Sequence, residues 1–336
     1  RYLERYGARP VRPLIASSPK GVEQAVVIPA LAERTSIFKT LAGLARNPAL
    51  DHRRTLVVCV VNNHRPPLTP VSQIQDNQET LRCLRSLIFR EQGGDRDLLR
   101  GGDGDDLERI AESTLRLGCI DASSPGCEIP DHEGGVGTAR KIGMDAALGI
   151  MEAGGRGEGV ICCLDADTLV QENYLSAVAA HFRRYRHPAA AVAYAHQVPS
   201  DPGLREAICR YEIFLRAYVL GLAYAGSPYA HPAIGSTMCC TAQGYAAVRG
   251  MNRRQAAEDF HFLDKLAKLG KIGSIPETTV FPSARPSHRV PFGTGQRMLQ
   301  FMAGHEDECL YHPQSFRILR EWLAAVEADP MRDADD

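Results

Sequence analysis

Short apolar runs alternate with amphipathic segments along the chain. Four runs are almost entirely apolar, as expected of strands buried on both faces; they cover residues 25–29, 56–61, 115–120 and 160–164. Other segments place apolar residues at helical spacing; they cover residues 37–44, 79–89, 138–151 and 172–182. Strands that alternate with helices predict an α/β fold with a mostly parallel central sheet flanked by helices.

The same pattern divides the chain into three parts. Residues 1–23 form an N-terminal extension, residues 24–285 the α/β domain, and residues 286–336 a C-terminal loop and helical arm. A polar insert at about residues 64–114 interrupts the domain, and its glycine- and aspartate-rich stretch, residues 93–106, predicts a mobile surface loop. Calcium binding is an alternative, but the acids lack the alternating positions of an EF-hand loop.

Composition narrows the class of protein. With 44% hydrophobic residues, 24% charged residues and a net charge of -1, the chain has the make-up of a globular protein and gives no prediction of nucleic-acid binding. No run reaches the roughly 18 apolar residues of a membrane span, and the N-terminus lacks a signal-peptide core, so we expect a cytoplasmic protein without a transmembrane segment. Residues 211–229 predict a core helix or, alternatively, a helix at a membrane surface.

The cysteines predict a reduced protein. None of the 10 cysteines forms a C-x-x-C pair, and two adjacent doublets lie inside apolar runs. This usage is typical of buried thiols in a reducing compartment, so we expect no disulfides.

His305, Cys309 and His312 could share one helical face and bind zinc, but Pro313 and the intervening acids favour an ordinary polar helix.

Two aspartates follow the apolar run at residues 160–164. Asp165 and Asp167 would point the same way if the strand continued through them, because side chains alternate along a strand. Such a pair suits Mg²⁺ or Mn²⁺, which completes its shell with water and substrate phosphates. The alternative is two solvated aspartates that open a turn. The apolar strand running directly into the pair favours the metal site.

A second acidic pair, Glu258 and Asp259, begins a helix that ends before Gly270. At about 100° per residue, Asp259 shares a face with Leu263 and Leu266, so we expect it to face the protein. An inward carboxylate at a helix start is a candidate general base, with helix capping as the alternative. Glu258 lies about a quarter-turn away.

The order of these motifs resembles the family 2 glycosyltransferases of the GT-A fold. The likeness covers roughly residues 24–275 and rests on Val-Val-Ile-Pro-Ala at 26–30 with Glu33, Gly-Thr-Ala-Arg at 137–140, Leu-Asp-Ala-Asp at 164–167, the stretch 244–251 and the Glu258–Asp259 pair. An Asp-x-Asp with a downstream Glu-Asp is far more specific than either motif alone. The resemblance implies a GT-A catalytic domain that transfers a sugar from a UDP- or GDP-type donor to a hydroxyl acceptor, with inversion.

The resemblance also implies roles for single residues. Asp259 would be the base, with Glu258 orienting the acceptor, and the metal would be held by Asp165, Asp167 and a late histidine, His288. The residues that would bind the nucleotide sugar are Pro29, Ala30, Glu33, Asn62, Arg140, Asp165, Arg289 and Arg297.

The chain departs from the family pattern in three places. Asn62 or Asn63 stands where the family usually has a base-reading aspartate, so the nucleotide is open. Residues 30–33 read Ala-Leu-Ala-Glu in place of Tyr-Asn-Glu. The insert at 64–114 has no place in a minimal member and is a candidate for shaping the acceptor site.

Two other functions use the same residues. Residues 164–168 also resemble the nucleophile motif of haloacid-dehalogenase-like phosphatases, although no later lysine and acidic pair completes that motif. A non-catalytic sugar-nucleotide-binding protein would not need an inward-facing Asp259. Both alternatives therefore explain fewer of the motifs than a glycosyltransferase does.

Overall fold

The computed structural model describes residues 2–89, 104–133, 135–155, 159–254, 256–289, 293–304 and 310–328. These residues form strands and helices in alternation over much of the chain. The strands are β1 (Leu14–Ala16), β2 (Gln24–Ala30), β3 (Thr55–Asn62), β4 (Arg116–Ala122), β5 (Val160–Cys163), β6 (Leu169–Val170), β7 (Ala189–Tyr194), β8 (Met238–Thr241) and β9 (Ile272–Phe281). The helices are α1 (Tyr2–Tyr6), α2 (Arg34–Ala45), α3 (Ala49–His52), α4 (Val71–Ile88), α5 (Gly104–Glu112), α6 (Gly135–Ala153), α7 (Tyr174–Arg184), α8 (Pro202–Tyr224), α9 (Ala242–Ala247), α10 (Glu258–Ala267), α11 (Thr294–Met302) and α12 (Pro313–Ala328).

The strands form one 9-stranded sheet with the order β1-β4-β3-β2-β5-β8-β7-β9-β6. Neighbours β4, β3, β2 and β5 are parallel, as are β7 and β9, whereas β8 is antiparallel to both β5 and β7. Every residue of β2 and β3 is buried, as their uninterrupted apolar runs predict. The predicted α/β class with parallel central strands and flanking helices is confirmed.

The chain forms two compact units. The first contains residues 1–195 and 233–283 and holds the whole sheet, while the second contains residues 196–232 and 284–336. In the second unit, helices α8 and α11 pack around a small apolar cluster that includes Tyr211 and Met298. Helix α12 packs so closely on α8 that a Cβ added at Gly221 would collide with the Phe316 ring. The domain boundaries near residues 24 and 285 stay predictions.

The polar insert is more regular than its composition suggests. Helix α4 begins at Val71, not at Glu79, and serves as the crossover between the parallel strands β3 and β4. Part of the predicted mobile loop is helical, because α5 buries Leu107 and Ile110 one turn apart and carries acids in its first turn. Residues 93–103 of the glycine-rich stretch lie outside the described residues.

The predictions about membranes and thiols have mixed outcomes. Helix α8 buries Tyr211 and Leu222 but exposes Ile213 and Leu220, so it is only in part a core helix. No helix in the described ranges combines the length and the apolar character that crossing a membrane requires. Each described cysteine has a free thiol. His305 and Cys309 of the zinc alternative lie outside the described residues.

Candidate functional site

The candidate site lies at the carboxyl ends of β2 and β5. Strand β2 is parallel to β3 on one side and to β5 on the other, so successive connections leave the sheet in opposite directions from this point. Such a switch point opens a crevice where ligands of α/β sheets bind. Helix α2, which follows β2, is tied to the turn after β5, since Thr40 donates to the carbonyl of Ala166 at 2.9 Å.

The two aspartates after β5 lie in a turn and not in a strand, contrary to the geometry assumed from the sequence. The Thr168 N–H donates to the Asp165 carbonyl at 3.1 Å, which closes the turn. Burial nevertheless alternates, because Leu164, Ala166 and Thr168 are buried while Asp165 and Asp167 are partly exposed. The buried residues anchor the turn and leave both carboxylates accessible.

Arg140 of α6 is the centre of an ionic cluster. Its Nη2 donates to Oδ1 of Asp165 at 2.5 Å, and its Nη1 donates to Oε1 of Glu258. The Arg140 side chain is 4% exposed. Burial lowers the pKa of this guanidinium, but Asp165 and Glu258 outweigh burial and raise its pKa above the ordinary value. Arg140 is therefore a permanent buried cation that orients two carboxylates, and its Nε has no hydrogen-bond partner among the described residues.

Helix α10 begins with the two acids, but Glu258 is the more buried of the pair. Glu258 lines up with Phe262 and Leu266 at intervals of one turn, and these residues form the buried face together with Leu263, which lies one turn after Asp259. Asp259 is partly exposed, and its Oδ1 accepts the N–H of Phe260 at 2.8 Å. The prediction that Asp259 faces the protein is thus only partly right, because the helix is rotated to bury its neighbour.

The pKa values of Glu258 and Asp259 are both raised above those of ordinary carboxyl groups. Burial raises the pKa of Glu258 and of Asp259, and Arg140 opposes this shift at each. The charge of Asp259 raises the pKa of Glu258 further, and that of Asp165 does so for Asp259. Three carboxylates share one buried cation, so the cluster carries an excess of negative charge.

A 3₁₀ turn at Gly235–Thr237 supplies two residues that no sequence motif revealed. The Ser236 hydroxyl donates to Oδ2 of Asp165 at 2.7 Å, and its oxygen accepts the Asp165 N–H at 3.1 Å. Because Ser236 has one proton, the Thr168 hydroxyl, 2.7 Å away, must donate to it. A Cβ at Gly235 would collide with the Arg140 guanidinium, so a larger residue there would displace Arg140 from its present position. The sole sequence signal is a Gly-Ser-Thr triplet before an apolar run.

Asn77 of α4 joins the loops after β2 and β3. Its Oδ1 accepts the N–H of Ala32 at 2.8 Å, and its Nδ2 donates to the Asn62 carbonyl at 3.0 Å and to Oδ1 of Asn63 at 2.9 Å. Ala32 has a φ of 51°, a conformation that a residue with a Cβ adopts rarely. The buried amide therefore holds an unusual loop at the mouth of the switch point. Asn77 was not among the predicted site residues.

The predicted nucleoside-binding residues lie at these strand ends. Pro29 and Ala30 are the last residues of β2 and are buried, and the buried Glu33 immediately precedes α2. The Asn63 amide is used by hydrogen bonds to neighbouring loops. The Asn62 amide, in contrast, makes no hydrogen bond within the described part of the chain. The predicted contact of Asn62 with a base stays a prediction.

The carboxylates offer a limited donor set for a metal ion. No group of three or more His, Cys, Asp or Glu residues in the described ranges could hold a metal. Both oxygens of Asp165 already accept hydrogen bonds, from Arg140 and Ser236. A nucleotide-bound Mg²⁺ or Mn²⁺ needs only one or two carboxylates, because phosphates and water complete its shell. Asp167, with Asp165 as the second ligand, fits a cation of that kind, and the excess negative charge favours it.

The remaining predicted residues belong to the second unit. His288 and Arg289 are exposed, and the Arg297 guanidinium of α11 lies 5.8 Å from the centre of the Phe214 ring. Their predicted contacts with the metal and the diphosphate stay predictions.

Comparisons with known proteins give structural similarity only. No protein-family model matches the chain, and no curated protein matches it. The chain is similar to residues 1–349 of S. aureus TarS in complex with UDP-GlcNAc, with 13% identity, a TM-score of 0.45, and coverage of 91% of this chain and 73% of that one. The UDP complex of the same protein shows 12% identity and a TM-score of 0.44, with coverage of 94% of this chain and 74% of that one. A mycobacterial protein shows 14% identity and a TM-score of 0.40, with coverage of 87% of this chain and 76% of that one. At these TM-scores, functional assignment rests on the site itself.

Proposed function

We propose that the chain is a GT-A-type glycosyltransferase that moves a sugar from a nucleotide-diphosphate donor to an acceptor hydroxyl. The observation that carries this proposal is the Arg140 cluster at the switch point. One buried guanidinium holds Asp165, at the end of β5, and Glu258, at the start of α10. Donor-side carboxylates and the candidate base Asp259 are thereby brought to one place in the fold.

The donor side uses the ends of β2, β3 and β5. The loop from Ala30 to Glu33, held by Asn77, and the amide of Asn62 form the nucleoside site, which accepts a UDP- or GDP-type donor. Asp165 is kept in one orientation by Arg140 and Ser236. Asp167 and Asp165 would hold Mg²⁺ or Mn²⁺, which neutralises the charge of the departing diphosphate.

The acceptor side uses the start of α10. Asp259 is partly exposed and has a raised pKa, so once ionised it is a stronger base than an ordinary carboxylate. It takes the proton of the acceptor hydroxyl as that oxygen attacks the anomeric carbon, in a single displacement with inversion. Glu258 is buried against Arg140 and cannot reach an acceptor, so it is a positioning residue.

A phosphatase mechanism suits these residues less well. Each oxygen of Asp165 accepts a hydrogen bond, from Arg140 or from Ser236, which lowers the nucleophilicity of the carboxylate, whereas each oxygen keeps a lone pair for a metal ion.

The direct experiment is a panel of nucleotide sugars and phosphate monoesters offered to the native protein with Mn²⁺. The proposal predicts release of a nucleoside diphosphate from one UDP- or GDP-sugar, because water slowly replaces a missing acceptor. Release of phosphate from the monoesters, with no nucleotide sugar cleaved, would support the phosphatase. Nucleotide binding without any cleavage, even with candidate acceptor sugars added, would support the non-catalytic alternative.

A further inference from the structure

The first unit has a basic surface at the end of the sheet where the parallel strands begin, opposite the end that holds the candidate site. Helix α7 leads into β7 through residues 185–188, and α10 leads into β9 through residues 268–271. Ala189 and Ile272, which begin these two strands, are paired neighbours, so the two connections lie side by side. Strand β7 is parallel to β5, because both are antiparallel to β8. This edge therefore holds the amino ends of the parallel strands, whereas the candidate site lies at their carboxyl ends.

Five exposed cations define this surface, which we call the basic edge; they are Arg183, Arg184, Arg186, Lys268 and Lys271. None of them forms an ion pair within the described ranges. Residues 173–200 and 265–276 contain no aspartate or glutamate, and the acids nearest to the second segment are Asp264, one turn before Lys268, and Glu277. Some exposed arginines elsewhere are paired, as Arg54 is with Glu23 at 3.3 Å, whereas others, such as Arg46, are not. The basic edge is thus strongly positive in a chain whose net charge is -1.

Helix capping explains only part of this cluster. Cations in the last turn of a helix are stabilised by the helix dipole, and this accounts for Arg183 and Arg184 in α7. Arg186 and Lys271 lie beyond the helix ends, where the dipole gives no such benefit. Their charge has no function in the fold that the described contacts reveal.

Apolar groups project among the cations. Tyr185 is 41% exposed and Leu269 is 49% exposed. The Tyr185 ring is stacked on His187 with centroids 5.4 Å apart, and the Arg184 guanidinium lies 5.3 Å from the ring centre. Gly270 packs against Pro188, with an added Cβ 3.4 Å from that ring, which keeps the two connections together. The surface therefore combines fixed positive charge with one aromatic and one aliphatic side chain.

We propose that the basic edge docks this protein on an anionic lipid surface. Clusters of about four to eight Lys and Arg residues are sufficient to hold a protein at anionic headgroups. Tyrosine and leucine suit the boundary between headgroups and acyl chains. The partner is a membrane leaflet that contains anionic phospholipid.

Nucleic acid fits the same charge less well. Nucleic-acid-binding domains are usually basic as a whole, with a pI above about 9, whereas this chain has a pI of about 6.9. Single-stranded nucleic acid is bound by stacking bases on free aromatic faces. The Tyr185 ring is already occupied by His187 and Arg184.

The proposal predicts an orientation. With the basic edge on the membrane, the carboxyl ends of the parallel strands face away from it, so nucleotide binding is unaffected by docking. The docking does not depend on the proposed transferase activity, since its readout is partition to vesicles and uses no substrate.

The test is sedimentation of the native protein with phosphatidylcholine vesicles that contain or lack phosphatidylserine. We expect binding only to the anionic vesicles, and loss of binding at high salt, which screens surface charge. The triple variant Arg183→Gln, Arg184→Gln, Lys271→Gln should bind about a hundredfold more weakly, roughly fivefold for each cation removed.

A matched control variant distinguishes the effect of this surface on vesicle binding from the effect of the protein's net charge. Lys39 of α2, Arg82 of α4 and Arg254 in the loop before α10 are exposed, do not lie next to the amino end of a parallel strand and form no ion pair in the described ranges. Replacing these three by glutamine changes the net charge equally but should leave vesicle binding within about twofold of the native value, since screening makes the charge effect local. Equal weakening by both triples, no anionic-vesicle binding, or binding to single-stranded DNA in place of vesicles would each overturn the proposal. Melting temperatures of both triples establish that they fold.

Discussion

Two buried ionic clusters are centred on adjacent residues of α6, Arg140 and Lys141. They differ in how many of their polar and charged groups have partners within the described residues. The cluster at Lys141 is closed. Asp145 accepts hydrogen bonds from the hydroxyls of Tyr2 and Tyr245, at 2.8 and 2.7 Å, and from the Ala8 N–H at 2.7 Å. Its Oδ2 also pairs with Lys141 at 3.2 Å. Protein groups alone complete this cluster, and it ties the N-terminal segment to the domain.

The cluster at Arg140 is open. Its Nε has no partner in the described ranges, and the Asp165 side chain is 36% exposed. Glu258 and Asp259 add negative charge that no described cation besides Arg140 offsets within the cluster. Buried polar groups are nearly always satisfied, so an unfinished set points to a functional site. The comparison supports the proposal that α6 carries one cluster for stability and one for ligands.

The largest expected effect comes from an acid of the open cluster. Asp259→Asn removes the proposed base but keeps the shape of the side chain, so turnover should fall by about 10²–10⁴-fold. Donor affinity and melting temperature should change little. The measurement is single-turnover transfer, with Asp264→Asn on the same helix as the control. Native turnover in a folded Asp259→Asn protein would remove this residue from the mechanism.

An acid of the closed cluster should show the opposite behaviour. Asp145→Asn leaves the Lys141 charge buried without a counter-ion, which costs roughly 3–5 kcal/mol of unfolding free energy. Turnover per folded molecule should stay close to native. Urea denaturation and activity assays measure the two quantities. Tyr245→Phe, which removes one hydrogen bond worth about 1 kcal/mol, gives the same comparison if Asp145→Asn does not fold. Lost turnover with native stability would break the contrast between the clusters.

A methyl group placed against Arg140 should sharpen the contrast. Gly235→Ala puts a Cβ into the guanidinium, and overpacking of this kind costs about 1–3 kcal/mol. Because the guanidinium orients Asp165, donor affinity should also fall. Gly149→Ala in α6 is the control, since its new Cβ meets no atom nearer than 3.4 Å. Equal effects of the two variants on nucleotide binding would contradict the positioning role of Arg140.

The smallest expected effect is at Ser236. Ser236→Ala removes the hydroxyl that orients Asp165, a hydrogen bond worth about 1 kcal/mol, so kcat/KM should fall by roughly fivefold. Thr168→Val removes the hydroxyl on the other side of Ser236 and keeps the bond to Asp165. It should lower stability but leave kcat/KM nearly native. Equal losses of kcat/KM would show that Ser236 acts only through packing.

Local patterns predicted the elements of the fold better than their connections. The apolar runs of β2 and β3 identify strands that are buried throughout, because burial on both faces leaves no polar alternation. The antiparallel direction of β8 has no local signal, since pairing depends on neighbours far along the chain. Helix α5 was missed because two buried residues, Leu107 and Ile110, stabilise a segment whose composition is polar.

The site shows the same division. Sequence motifs predicted Arg140, Asp165 and Asp259 as site residues, and the structure places these three in one cluster. Ser236 reaches Asp165 across 71 positions of sequence, and Asn77 reaches Ala32 across 45. Such contacts arise from packing between distant elements, so residue type alone could not reveal them. Which of Glu258 and Asp259 is buried depends on a small helix rotation that periodicity does not resolve.

Calorimetric titration of UDP and GDP, with and without Mn²⁺, tests the central claim most directly. If the open cluster is a metal–nucleotide site, the native protein and Asp264→Asn bind one of the two nucleotides in the presence of Mn²⁺. Asp167→Asn, correctly folded, should then bind that nucleotide at least about tenfold more weakly, because the metal loses a charged ligand. Equal affinity of Asp167→Asn and native protein, or binding that is independent of Mn²⁺, would contradict the account.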